Sequence, residues 1–351
     1  MRTALRTALL VALLGAGLTA VESPQAIEKA DARMIAKNKA LAHRSVSEPA
    51  KAKVSIVVRK KPANILLASH AAPLRETRQL AVQSGSALVI EQGGGDPLFQ
   101  KNANAIAPIA SITKLMTAMV VLDSEPNLQT TITIADDDVD LLRGSRSRLH
   151  VGAAMTRETA LLLALMSSEN RAANALARHY PGGMPAFLAA MNVKAQALGM
   201  GDTRFEDPTG LTSNNVSTAH DLAKMVAAAH RYPLIRQWST MPEAFVEVSG
   251  RELAFHNTNP LVKSAAWDVG LSKTGYIHEA GKCLVMQARL AEKTVVIVLL
   301  DSVGKLTRVG DANRIKRWME SAQARLPVHT QASHKPSTHA ALARETLRRP
   351  G

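Results

Sequence analysis

Residues 282–300 read Lys282-Cys-Leu-Val-Met-Gln-Ala-Arg-Leu290-Ala-Glu-Lys-Thr294-Val-Val-Ile-Val-Leu-Leu300. Two strand-like runs, Lys282–Leu290 and Thr294–Leu300, flank the short connection Ala291-Glu292-Lys293. So short a connection permits only antiparallel pairing, because a parallel crossover needs about a dozen residues or more. A third strand-like run, Val269–Ile277, comes just before them. The sequence therefore predicts three consecutive strands here, of which the last two form a hairpin.

A second group of strands is predicted about 180 residues earlier. Ser86–Glu91 alternates like a strand, Gln92–Pro97 is dense in turn residues, and Leu98–Gln100 begins a returning strand. The order of strands, then helices, then strands predicts an α+β fold, an antiparallel β-sheet from both ends of the domain flanked by helices. The predicted helices are Lys114–Leu122, 156–169, Asn170–His179, Ala186–Leu198 and Thr218–His230, with a last one near Asp311–Ala324.

Three short sequence strings within these predicted elements contain candidate catalytic residues. Ser111-Ile-Thr-Lys114 lies at a helix start, Ser168-Glu-Asn170 lies near the junction of two helices, and Lys273-Thr-Gly275 lies in the first C-terminal strand. Each string alone is weak, since such residues are common as helix caps and strand ends. Their order and settings together indicate an acyl-transferring serine enzyme whose general base is a lysine.

Ser111 and Lys114 are three residues apart, so we expect their side chains on one helix face. A seryl hydroxyl is a poor nucleophile until a base takes its proton, and a neutral lysine amine can do so. The pKa of Lys114 must then fall from its reference value by about three units, roughly 4 kcal/mol. We expect burial to lower it, with Lys273 as a second cation nearby.

Ser168 and Asn170 are predicted to line the opposite wall of the cleft. A hydroxyl there can relay a proton to the leaving amine, and an amide can hold Lys114 or a substrate carbonyl in place.

The strand string is predicted to bind the substrate. Lys273 and Thr274 can hold a carboxylate by charge and by a hydroxyl donor, and Gly275 would let a ligand approach the backbone. The main-chain N–H groups of Ser111 and Tyr276 are predicted to hold the oxyanion.

Composition excludes several classes of function. The net charge of +14 belongs mainly to the flanks, since residues 27–80 alone hold twelve Lys and Arg against four Asp and Glu. With 3% aromatic residues and no basic stripe in the core, we expect no nucleic-acid binding. The single cysteine, Cys283, lies in a strand-like run and is interpreted as a small buried residue. No histidine pair has a zinc-binding spacing, so neither a metal nor another cofactor is predicted.

The domain organisation follows from the two ends. Residues 1–26 have the charged start, apolar run and small residues of a signal peptide, which predicts export. Residues 27–80 are predicted to be a basic, mostly disordered linker, residues 81–325 the catalytic domain, and residues 326–351 a disordered basic tail. The basic flanks would suit a loose association with a membrane or cell-wall surface, or serve only as a solubilising tether.

Over about residues 84–320 the chain resembles the low-molecular-mass penicillin-binding proteins, a family of D-alanyl-D-alanine carboxypeptidases and endopeptidases. The resemblance implies an antiparallel sheet flanked by helices with an all-helical insertion that carries the second motif. The strings that carry it are Pro108–Ala118, Asp207-Pro-Thr-Gly-Leu211, Asn257-Thr-Asn-Pro-Leu261 and Lys273–Cys283, besides Ser168-Glu-Asn170.

The resemblance also implies the chemistry. Ser111 is implied to be the acylated nucleophile and Lys114 its base, while the other two strings supply the second and third motifs. The implied substrates are peptidoglycan stem peptides, attacked at a D-alanine carbonyl, and β-lactam antibiotics are implied to be covalent inhibitors. Tyr276-Ile-His-Glu-Ala-Gly281 most resembles the D-alanyl-D-alanine endopeptidase branch, which cuts D-alanine–diaminopimelate cross-links in the periplasm.

Three alternatives stay open at this point. A D-alanyl-D-alanine carboxypeptidase would carry the same motifs. A serine β-lactamase would share them too, but no acidic residue is obviously placed to activate a deacylating water. A non-catalytic wall-binding protein would have no need of the complete set of motif residues.

Overall fold

The computed structural model describes residues 80–323, whose placement is given below. The predicted signal peptide (1–26), nearly all of the predicted linker (27–80) and the predicted tail (326–351) lie outside the described residues. Within residues 80–323, no helix has both the length and the apolar character needed to cross a membrane.

The described elements confirm the α+β prediction. In chain order the strands are β1 (Ser86–Glu91), β2 (Phe99–Lys101), β3 (Ala107–Pro108), β4 (Thr131–Thr133), β5 (Ala154–Thr156), β6 (Val216–Ser217), β7 (Glu243–Val248), β8 (Arg251–His256), β9 (Asp268–Ile277), β10 (Gly281–Leu290) and β11 (Lys293–Ser302). The helices are α1 (Thr113–Asp123), α2 (Arg157–Met166), α3 (Asn170–Arg178), α4 (Gly183–Ala197), α5 (Ala219–Ala229), α6 (Pro233–Thr240) and α7 (Thr307–Gln323).

Both predicted groups of strands join one five-stranded sheet. Its order is β2-β1-β11-β10-β9, and every neighbouring pair is antiparallel. The β10–β11 turn holds Ala291 and Glu292 at positive φ of 48° and 62°, the backbone of the tight two-residue hairpin turn. Strand β9 lies at an edge of the sheet, so one side of its backbone faces away from the other strands.

Strand β11 shows why the C-terminal run is continuously apolar. Because successive side chains of a strand point to opposite faces, a strand covered on both faces needs apolar residues at every position. On one face Val295, Ile297 and Leu299 pack in a core with Ala312 and Ile315 of α7. The residues between them, Val296, Val298 and Leu300, point to the other face and belong to the larger core beneath α1 and α5.

The segment between β2 and β9 forms the second half of the domain. Helix α1 lies at its centre, with every residue from Thr113 to Val121 buried, as expected for a mostly apolar helix. The insertion is mainly helical but also contains the strand pairs β3–β6, β4–β5 and β7–β8, which departs from the all-helical expectation. The β7–β8 hairpin was not predicted.

The last helix begins one turn earlier than predicted, at Thr307. The buried carboxylate of Asp311 accepts hydrogen bonds from the N–H groups of Gln83 and Ser84, at 3.0 and 2.8 Å. This contact fastens the start of the domain to α7.

Candidate active site

Ser111 lies in a single 3₁₀ turn, Ala110–Ile112, that leads directly into α1. Ala110 has a positive φ of 48°, a strained conformation for a residue with a side chain. The Thr113 hydroxyl donates to the Ala110 carbonyl at 2.8 Å, and the Ile109 N–H donates to the Asn215 carbonyl at 3.0 Å. The turn is therefore held from both sides, and Ser111 stays half-buried at the cleft.

Lys114 lies one turn on and is fully buried. Its Nζ lies 2.8 Å from Ser111 Oγ, 2.7 Å from Asn170 Oδ1 and 2.7 Å from the Thr209 carbonyl oxygen. The amide and the carbonyl can only accept at these atoms, so in the neutral amine they take both N–H hydrogens. The lone pair is then left for the hydroxyl of Ser111, which is the arrangement a general base needs.

Burial lowers the pKa of Lys114 from 10.5 to about 7. The negative charges of Asp207, Glu169 and Asp140 oppose this shift but do not overcome it. At neutral pH a large fraction of the amine is therefore unprotonated and available to Ser111.

The expected role of Lys273 in this shift is corrected by the structure, because burial lowers the pKa of Lys114 and Lys273 is not needed for it. Lys273 is itself buried, and burial lowers its pKa well below 10.5, with repulsion from Lys114 and Arg308 adding to the effect. The repulsion between the two amines is therefore expressed in the pKa of Lys273 and not in that of Lys114.

Ser168 and Lys273 face each other across the cleft. Lys273 Nζ lies 2.8 Å from Ser168 Oγ and 3.0 Å from the Thr274 carbonyl oxygen. Ser168 has a positive φ of 63°, because the N–H groups of Ser167 and Glu169 both bond to the Leu163 carbonyl where α2 ends. Glycine is the usual residue at such a helix end, so the backbone conformation of Ser168 costs about 1–3 kcal/mol.

Asn170 is held in one orientation by a residue that the sequence did not single out. Its Nδ2 donates to Ser145 Oγ at 2.9 Å, while Ser145 N–H donates to the Asp140 carboxylate at 2.9 Å. This contact turns Oδ1 of Asn170 toward Lys114. Ser145 lies in a polar loop with no motif, so nothing in the sequence pointed to it.

The third string lies in β9, the strand in which it was predicted, and this strand is at an edge of the sheet. Thr274 is buried, and its hydroxyl donates to Thr258 Oγ1 at 2.6 Å. Tyr276, by contrast, is 58% exposed, and the Lys282 ammonium lies 3.9 Å from the centre of its ring. Thr258 falls within the Asn257–Leu261 string, but its place beside Thr274 could not be deduced from that string.

The structure gives a reason for Gly275 besides the predicted one. A Cβ at this position would lie 2.9 Å from the Ile109 carbonyl oxygen and 3.1 Å from the Ser111 amide nitrogen. The glycine therefore lets β9 approach the nucleophile's own backbone.

The loop Asp207–Thr212 supports the nucleophile from below. The Asp207 carboxylate accepts from the N–H groups of Thr209, Gly210 and Thr212, which folds the loop tightly. Gly210 has a φ of 82°, and a Cβ there would lie 1.9 Å from the Ala110 carbonyl oxygen. The Asp-Pro-Thr-Gly pattern predicts such a turn, although its contact with Lys114 could not be foreseen.

The structure thus brings Ser111, Lys114, Ser168, Asn170 and Lys273 together around one cleft, with Thr274, Gly275 and Tyr276 along its edge. Cys283 lies apart, fully buried, and burial raises the pKa of its thiol to about 11. Within residues 80–323, no group of three or more His, Cys, Asp or Glu side chains is placed to hold a metal ion.

The sequence profile of the D-alanyl-D-alanine carboxypeptidase family (peptidase S11) matches residues 73–304. A D-alanyl-D-alanine endopeptidase of Pseudomonas aeruginosa is 50% identical over 247 residues, which cover 70% of this chain and 80% of that protein. A D-alanyl-D-alanine endopeptidase of Escherichia coli is 44% identical over 268 residues, which cover 76% and 86%.

Solved structures agree with the fold. The crystal structure of a Streptomyces DD-transpeptidase has a TM-score of 0.64 at 29% identity, over 69% of this chain and 98% of that one. A D-alanyl-D-alanine carboxypeptidase from Mycobacterium tuberculosis has a TM-score of 0.61 at 28% identity, over 68% and 91%.

Proposed function

This chain belongs to the D-alanyl-D-alanine carboxypeptidase family of serine peptidases, and we propose that within it the chain acts as a DD-endopeptidase. Two D-alanyl-D-alanine endopeptidases are 44–50% identical to it over most of their own length. The substrates are stem peptides of peptidoglycan, and the scissile bond joins D-alanine to the diaminopimelate of a neighbouring stem. The resemblance seen in the sequence is thereby confirmed at the level of the family.

We propose the following roles for the cleft residues, supported chiefly by the contact between Lys114 Nζ and Ser111 Oγ at 2.8 Å. The neutral Lys114 takes the proton of Ser111, and Ser111 attacks the D-alanine carbonyl carbon. The N–H groups of Ser111 and Tyr276 receive the negative oxygen that forms.

Breakdown of the tetrahedral intermediate needs a proton on the leaving amine. Ser168, whose hydroxyl lies 2.8 Å from Lys273 Nζ, can relay the proton that Lys114 took from Ser111: it gives its own proton to the amine and receives that one in return, which leaves Lys114 neutral again. Asn170 keeps Lys114 in place through Oδ1. Water then attacks the acyl-enzyme at Ser111, with Lys114 again as base, and releases the donor stem.

Lys273 and Thr274 are proposed to bind the carboxylate on the leaving side of the scissile bond. Burial disfavours the charge on Lys273 in the free enzyme, but an incoming carboxylate favours the ammonium. The bound carboxylate would therefore raise the pKa of this lysine. β-Lactam antibiotics carry a comparable carboxylate and are proposed to acylate Ser111 covalently.

We propose that the protein works in the periplasm, where its substrate lies. The signal-like residues 1–26 support this proposal. The basic residues 27–80 and 326–351 would associate loosely with anionic membrane or cell-wall surfaces.

The test is digestion of purified muropeptides, both D-alanine-linked dimers and uncross-linked pentapeptides, read by mass spectrometry. We expect dimers to become monomers, Ser111→Ala to abolish this, and Ser321→Ala, at an exposed serine of α7, to retain it. Removal of only a terminal D-alanine from pentapeptides would instead make the protein a carboxypeptidase. Dimer cleavage that survives in Ser111→Ala would refute the assigned nucleophile.

A further inference from the structure

The end of the cleft beyond Tyr276 is crossed by an ion pair that has no part in the catalytic steps above. Arg143 Nη2 lies 2.9 Å from Glu279 Oε2, and the two side chains are 24% and 47% exposed. We propose that this pair is the subsite for the zwitterionic amino-acid end of the donor stem's third residue, diaminopimelate. The inference rests on the proposed function and deepens it.

The direction of the substrate places the donor stem at this end. In the mechanism proposed above, Lys273 and Thr274 hold the leaving side of the scissile bond, and the oxyanion forms at Tyr276. The acyl side must then run the other way along β9, past Tyr276 toward the turn that joins β9 and β10. Glu279 lies in that turn and is exposed to solvent.

Arg143 approaches the same place from the opposite wall. Its Nε donates to the Leu211 carbonyl, and its main-chain N–H donates to the Asp140 carboxylate at 2.9 Å. Leu211 belongs to the loop that supports the nucleophile, and Ser145, two residues after Arg143, holds Asn170. The guanidinium is therefore held by the loop that supports the nucleophile, and the main chain of Arg143 belongs to the loop that holds Asn170, which places Arg143 beside both structures that define the active site.

The pair is poised to open for a ligand of matching charge. The pKa of Glu279 is lowered, chiefly because Arg143 donates a hydrogen bond to it, so the carboxylate is ionised at neutral pH. An exposed ion pair contributes little to stability, and its separation is therefore easily offset. A side chain that offers one carboxylate and one ammonium satisfies both partners at once.

Diaminopimelate has this chemistry. The free end of its side chain carries an ammonium and a carboxylate on one carbon, so the carboxylate can face Arg143 and the ammonium Glu279. The planar guanidinium suits a carboxylate especially well, because its N–H groups match the two oxygens. Lysine is the same side chain without the carboxylate, and it would engage Glu279 alone.

The difference between the two side chains gives the test. Two cross-linked dimers are prepared with the same acceptor stem, one with meso-diaminopimelate and one with L-lysine at the donor's third position. The enzyme's kcat/KM for release of the acceptor stem is measured by mass spectrometry. A single charged hydrogen-bonded contact leads us to expect about a tenfold preference for the diaminopimelate donor.

The variants separate recognition from support. Arg143→Gln is expected to bring the preference close to one by lowering only the diaminopimelate value, and Arg143→Lys to restore part of it. Glu279→Gln is expected to lower both values together, because both donors carry the ammonium. Arg289→Gln removes an exposed ion pair with Glu292 on the β10–β11 hairpin and is expected to keep the full preference.

Two results would overturn the subsite while leaving the proposed function intact. The wild-type enzyme could cleave both dimers equally well. Alternatively, Arg143→Gln could lower both values and keep their ratio, which would mean that Arg143 acts only by supporting the Leu211 loop. Failure of the wild-type enzyme to cleave either dimer would overturn the endopeptidase itself, and the subsite with it.

Discussion

Lowering the pH from 8 to 5 should strongly slow β-lactam acylation of Ser111, because it protonates Lys114. The amine is fully buried, and its pKa lies at about 7. A group whose charged form is disfavoured by burial is active as a base only above its pKa. The rate of acylation should therefore fall with pH along a single acid limb.

The size of the effect follows from the shift. Moving the pKa from 10.5 to about 7 corresponds to about 5 kcal/mol against the buried ammonium. The neutral fraction is then about 0.9 at pH 8 and about 0.01 at pH 5, a fall of nearly 100-fold. With an unshifted pKa, only about one lysine in 3,000 would be neutral at pH 7.

The assay is the second-order rate of benzylpenicillin acylation, followed by intact mass from pH 5 to 9. We expect a limb of unit slope centred near pH 7. Glu169→Gln removes a charge that favours the ammonium, so its limb should move to lower pH. A limb near pH 10, or one near pH 4 to 5 that belongs to a carboxylate, would refute a buried lysine base.

Three further predictions concern the framework. Gly210→Ala should destabilise the protein by about 2 kcal/mol or more and slow acylation, since its Cβ would collide with the Ala110 carbonyl. The control Gly94→Ala is also at positive φ but has open space around the new Cβ, so it should destabilise the protein less and leave acylation unchanged. Thermal unfolding and penicillin labelling check both, and equal losses would contradict the contact. Asp311→Asn should lower the free energy of unfolding by about 3 kcal/mol at pH 7. Burial would raise the pKa of Asp311, but its hydrogen bonds outweigh burial and lower the pKa in the folded state. The difference in unfolding free energy between wild type and variant should therefore be full above about pH 4 and shrink as the pH drops through the folded-state pKa. A difference that stays constant with pH in unfolding scans would contradict this origin. Cys283 should resist iodoacetamide in the native protein and react after unfolding, as mass spectrometry would show; rapid native labelling would contradict its burial.

The sheet could be predicted from the sequence because each of its strands has a local sequence pattern. The short β10–β11 connection and the apolar run of β11 fix antiparallel pairing without reference to the rest of the chain. The β7–β8 hairpin was missed although its signal is present. Glu243–Val248 alternates exposed and inward-facing residues and is followed by a Ser249-Gly250 turn.

The motif residues were found because their chemistry requires particular residue types close together in sequence. Ser111 and Lys114 are in contact within one turn, so their spacing carries the information. Ser145, by contrast, meets Asn170 from a loop 25 residues away. Such a contact depends on the tertiary path of the loop, which no local pattern encodes.

The lowered pKa of Lys114 was predicted correctly, but part of its expected cause was wrong. A lowered pKa for Lys114 follows from what its chemistry requires, and burial alone supplies it in the structure. The expected contribution of Lys273 is not among the causes of that shift. Burial lowers the pKa of Lys273 as well, and how deeply a side chain is buried is a property of the packed domain.

The central claim is that Ser111 carries the donor stem as an ester during cleavage. The most direct measurement is acid quenching of the enzyme during turnover of a D-alanine-linked dimer, followed by peptide mapping by mass spectrometry. We predict that the donor tetrapeptide is attached to Ser111 and that no adduct forms in Ser111→Ala. An adduct on Ser168, or rapid cleavage with no covalent species at Ser111, would contradict this account.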